Sequence, residues 1–78
     1  MSEEITIVER GIATFRDGNF EGAISILEEA SRAYPESYEA FVYLAAAYAQ
    51  QGRHNLSIGA FKRASEINPT SPLSLIHI

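Results

Sequence analysis

Four chain breakers stand at even intervals along this sequence: Gly18, Pro35, Gly52 and Pro69, seventeen residues apart each time. A glycine can take the left-handed conformation that closes a helix, and a proline pushes its predecessor out of the helical region. No long helix or strand can run through these points. Between them lie four stretches without proline: Glu3 to Asp17, Asn19 to Tyr34, Tyr38 to Gln51 and Asn55 to Asn68. Each has the length of an ordinary helix.

Apolar spacing inside the stretches agrees with that reading. Phe41, Leu44, Ala45 and Tyr48 recur at i, i+3, i+4 and i+7, which places them on one face of a 3.6-residue period. Ile58, Phe61 and Ala64 repeat the pattern in the fourth stretch, as do Ile24, Leu27 and Ala30 in the second. Asn19 and Ser37 stand where a side-chain oxygen can cap the second and third helices. The expected fold class is all-α, built from amphipathic helices joined by short turns.

A shift by 34 residues lays the chain on itself. Between residues 4–37 and 38–71 there are eight identities: Val8/Val42, Ala13/Ala47, Gly18/Gly52, Ile24/Ile58, Ala30/Ala64, Ser31/Ser65, Pro35/Pro69 and Ser37/Ser71. A fixed period of this length, with two helices per unit, marks an α-solenoid. The expected domains are a first unit at 4–37 and a second at 38–71. Residues 72–78 read as a truncated start of a third unit or as a read-through scar, because Leu73 to Ile78 spells the translation of a transposase sequencing-adapter end.

In these positions the sequence resembles the tetratricopeptide repeat family, whose unit is a helix-turn-helix with a W-x-x-L-G-x-x-Y, A-x-x-x-F, A, P signature. The second unit matches it with Phe41, Leu44, Ala45, Tyr48, Ser57, Phe61, Ala64 and Pro69. The first keeps Ile7, Gly11, Ala23, Leu27, Ala30 and Pro35, but has Arg10 and Thr14 where Leu and Tyr are usual. The resemblance implies that small residues at Gly11, Ala23, Ala30, Ala45, Ser57 and Ala64 let helices approach closely. Leu27, Phe41, Tyr48 and Phe61 are then expected to fill the space between them.

Composition narrows the function. The 78 residues carry six Lys and Arg against ten Asp and Glu, a formal charge of −4, so there is no positive field for nucleic acid or an anionic membrane. The excess is uneven: residues 4–37 hold seven acidic and three basic side chains, residues 38–71 two and three. A basic rim on a partner would be steered to the first unit. With no Cys, thiolate metal sites and Cys nucleophiles are absent. No nucleophile elbow, phosphate-cradling glycine loop or paired zinc histidines occur, so no catalytic residue, cofactor or metal ligand is expected. The longest apolar run, Phe41 to Ala49, is too short to cross a bilayer, and Met1 to Glu4 lacks a basic signal-peptide start. A cytoplasmic location is the corresponding expectation.

The resemblance implies a protein-protein interaction scaffold whose concave face, lined by the first helix of each pair, holds a partner segment. That face would present Ile5, Val8, Ile12 and Phe15, then Val42, Tyr43, Ala46 and Ala49. The family's chaperone-binding branch uses polar ligands for a carboxylate where Val8, Ile12, Val42 and Ala46 stand here, so a mostly apolar groove for a peptide or helix is expected instead. Alternatives are a regulatory repeat module of a larger enzyme, such as a glycosyltransferase or kinase, or a secretion or pilus assembly factor. Self-association through an uncapped C-terminal end is a further expectation. Ala45→Leu should overpack a helix contact and cost roughly 1–3 kcal/mol, read as a lower denaturant midpoint.

Overall fold

The computed structural model describes residues 3–69, which form α1 (Glu3–Arg16), α2 (Phe20–Ala33), α3 (Tyr38–Gln50) and α4 (His54–Ile67), with no strand among the described residues. The segment read as a partial third unit or a scar, 72–78, lies outside them.

The breakers end the helices as their chemistry requires. Gly18 and Gly52 have φ of 86° and 75°, the left-handed region that L side chains avoid. Each closes its helix with the same pair of backbone bonds. Gly18 N–H donates to Phe15 and Asn19 N–H to Thr14; shifted by one unit, Gly52 N–H donates to Ala49 and Arg53 N–H to Tyr48. The second helices match as well, with Tyr34 N–H on Ala30 and Asn68 N–H on Ala64, each followed by a proline. Asn19 Oδ1 accepts from Gly22 N–H at 3.1 Å and Ser37 Oγ from Ala40 N–H at 3.4 Å, so both expected caps form. No side chain caps α4.

Neighbouring helices in the chain pack on one another, and α1 also touches α3. Among the described residues α2 and α4 make no contact, so the array curves with α1 and α3 on its inner side. The main core joins Ala23, Ile24 and Leu27 of α2 to Leu44, Ala45, Ala47 and Tyr48 of α3 and Ala60 of α4. A smaller cluster of Val8, Ala30 and Ala40 binds the start of α3 to α1 and α2. Leu27 is fully buried, and Gly11 lies so close that a Cβ built there would stand 2.5 Å from Leu27 Cδ2 and 2.7 Å from its Cγ.

One expectation fails. Leu27 and Ile24 are 0% and 6% exposed, but their counterparts one unit later, Phe61 and Ile58, are 49% and 65% exposed. Phe61 therefore does not fill an interhelix space, because α3 covers that face of α2 and no described helix covers the same face of α4. Phe41 is half-buried, with the Arg63 guanidinium 5.9 Å from its ring centre. Arg63 also bonds the Pro35 carbonyl at 3.2 Å and pairs with Glu36 at 3.6 Å, tying α4 to the turn between the units.

Two glycine substitutions test the packing. Alanine relieves the cost of a helical glycine by about 1 kcal/mol, and at Gly59, where a Cβ meets nothing within 4 Å, that gain should appear in full. At Gly11 the buried Leu27 cannot turn away, so overpacking of roughly 1–3 kcal/mol should outweigh the gain. Urea midpoints that rise for Gly59→Ala and fall for Gly11→Ala are the expected result.

Candidate functional site

The inner face of the array carries a groove between α1 and α3. Its floor near the helix starts is a depression of about 110 Å³ bordered by Ile5, Val8 and Ile12 of α1, Ser37 and Glu39. A second depression of about 310 Å³ continues it along Ile12, Ala13 and Arg16 to Tyr43. Glu9, Ile12 and Glu39 belong to both, so the two form one channel. Glu4 borders the first.

The eight residues expected on this face occupy different places. Ile5, Ile12 and Tyr43 line the channel, with Ile5 48% exposed. Val8 reaches its edge but is buried in the smaller core. Phe15 lies half-buried against the main core, edge-on to Tyr43 at 5.6 Å and to Phe20 at 5.3 Å between ring centres. It positions Tyr43 and does not line the channel. Val42, Ala46 and Ala49 sit on the uncovered side of α3 but border neither depression.

The channel is also less apolar than expected. Exposed carboxylates of Glu9 on α1 and Glu39 on α3 flank Ile12, and Glu4 stands at the open end. Reading each unit by itself hides this, because the 34-residue shift pairs Glu39 with Ile5 and Glu9 with Tyr43. The signal that could have found it lies on the diagonal between the two first helices, one turn off the repeat register.

Helix α3, which carries one wall, is fixed by two polar bonds through its buried side. The Ser57 hydroxyl of α4 donates to the Ala45 carbonyl at 2.8 Å. The Tyr48 hydroxyl donates to the Glu28 carboxylate of α2. Glu28 thus links α2 to α3 across a part-buried contact. No buried side-chain polar atom among the described residues is left without a partner. Burial first, then the bond to Glu28 and its charge, push the Tyr48 hydroxyl up to about 12, against the opposing charges of Arg53 and Arg32.

The profile of the tetratricopeptide repeat matches residues 8–72, most of the chain. The chain belongs to the tetratricopeptide repeat family. Among curated proteins it is similar to human Superkiller complex protein 3, 30% identical over 71 residues, and equally to the mouse protein of the same name. The match covers 91% of this chain but 4% of those relatives, so the chain spans a small part of their length. Tetratricopeptide repeats are non-catalytic scaffolds that generally mediate protein-protein interaction. Among the described residues there is no cluster of three His, Asp or Glu side chains able to hold a metal ion. No described helix is long and apolar enough to cross a membrane.

The Tyr48 bond sets a pH dependence. Unfolded, its hydroxyl ionises near 10, whereas folded it keeps its proton to about 12. Unfolding above pH 10 then releases a proton, so this contribution is whole below pH 10 and lost as pH rises through 12. Tyr48→Phe should lower stability at neutral pH by about 1 kcal/mol. Its melting temperature should also fall less than the parent's across that alkaline window. Parallel falls would contradict the assignment.

Proposed function

We propose that this repeat pair works by presentation, holding a segment of another protein in the α1/α3 channel and carrying out no chemistry itself. The observation that supports this best is the location of the channel. It lies on the inner face, where α1 and α3 alone converge, and its floor leaves Ile5 and Ile12 in reach of a ligand. Both relatives are named as proteins of a complex, which agrees with a role in holding protein partners together. Burial of an aliphatic partner side chain on this floor contributes about 1.5–3 kcal/mol, so two or three such anchors give a usable but modest affinity.

Peptides selected from a random library against the chain provide the test. The selected peptides should shift the amide resonances of Ile5, Glu9, Ile12 and Tyr43 and leave those of Ser65 and Glu66 unmoved. Ile5→Lys, at an exposed position that leaves the core intact, should weaken them by about tenfold, one anchor's worth. Peptides that bind the variant equally, or that map to α2 and α4, would sink the proposal.

A further inference from the structure

We infer that the occupant of the α1/α3 channel is a basic amphipathic helix: an aliphatic stripe flanked by Lys or Arg. The inference rests on the channel being the binding surface, and it adds the chemistry of the partner. Two observations carry it.

The first is length. The α1 side of the floor runs from Ile5 to Ile12, about 10 Å at 1.5 Å per residue. A helical ligand covers that distance in two turns and aims anchors at i, i+3 or i+4, and i+7 along it. An extended segment crosses the same distance in about three residues, and alternation turns only two of them to the floor. The helix therefore satisfies more of the apolar surface.

The second is charge. Glu9 on one wall and Glu39 on the other are both exposed and face a common stretch of floor at Ile12. A ligand helix seated on Ile12 brings its flanks beside these two carboxylates. Lys and Arg suit that place twice over, because their stems can lie along the apolar wall while the charged ends reach the rim. Acidic flanks would meet like charge there. Arg16 borders only the far depression, so the acidic character is concentrated at the middle and the Glu4 end. Charges of this exposed kind set the choice of partner and the encounter rate more than the depth of binding.

The experiment uses the full chain and three synthetic helices of one length, with Leu at the same i, i+3, i+4 and i+7 positions and Lys, Gln or Glu elsewhere. The Lys helix should bind about tenfold tighter than the Gln helix, and the Glu helix weakest, with the Lys advantage shrinking as salt is raised from about 0.05 to about 0.5 M. Glu9→Lys with Glu39→Lys should remove the Lys preference. Glu21→Lys with Glu29→Lys, an equal change of net charge on α2, should retain it. Circular dichroism checks that each variant stays helical, and Glu9→Gln with Glu39→Gln provides a milder pair. Equal affinities for Lys and Gln helices, both mapped to Ile5 and Ile12, would overturn the inference while the channel reading stood. Equal losses from the two charge reversals would overturn it as well, since attraction to overall charge would then suffice. If none of the helices disturbs Ile5 or Ile12, both the inference and the channel reading fall.

Discussion

The approach of α1 to α2 at Gly11 and Leu27 governs the rest of the structure. Leu27 is fully enclosed, and the space it needs exists only because the facing residue has no side chain. With α2 drawn in against α1, the face that carries Leu27 also presents Ala23 and Ile24 to α3. Helix α3 then packs on α2 and α1 at once, which buries Ala40, Leu44, Ala45, Ala47 and Tyr48. An interior packed at crystal-like density passes such a constraint along without slack. A larger residue at position 11 would move not one contact but the seat of the third helix.

The channel is a consequence of this stacking. Two first helices that touch each other, while the second helices do not, must leave a concave inner surface. Its residues include ones that rest on the cores with one side and line the floor with the other, Ile12 on the smaller core and Tyr43 on the larger. Val8 is drawn into the smaller core and Phe15 toward the larger one, leaving Ile5, Ile12 and Tyr43 on the floor with Glu9 and Glu39 at the rim. The polar bonds from Tyr48 to Glu28 and from Ser57 to Ala45 hold the α3 wall from behind. Rigidity in the wall matters for binding, because a surface ordered in advance loses less conformational entropy when it takes up a ligand.

Much of this fold is legible in the residues alone, for a definite reason. Turn glycines, prolines and caps act through their own backbone, and the small-residue positions recur at a fixed period, so both can be read locally. The boundaries and the Asn19 and Ser37 caps follow from that. What cannot be read locally is which side of a helix has a neighbour. Ile24 and Ile58 are the same residue in equivalent positions, yet one is enclosed and the other exposed. Ala13 and Ala47 differ in the same way, since α1 packs on two of the described helices and α3 on three. Glu28 has Arg32 one turn away on its own helix, yet it pairs with Tyr48, twenty residues distant. Arg63, which joins α4 to the turn before α3, gives no local signal either.

The exposed face of α4 shows how far the repeat logic reaches. Equivalent positions in α2 and α4 have nearly the same chemistry, Ile24 and Leu27 against Ile58 and Phe61, so their different exposure measures the neighbour and not the side chain. Burying two such residues is worth about 1.5–3 kcal/mol each. That energy is realised between α2 and α3 and is unrealised on α4, which makes the stability of a repeat array depend on the number of interfaces as well as the number of units. The inner channel escapes this asymmetry. Its two walls belong to α1 and α3, and they are braced from behind by α2 and by the inner side of α4, through Ser57 and Ala60, so the exposed outer face of α4 takes no part in setting its floor or its acidic rim.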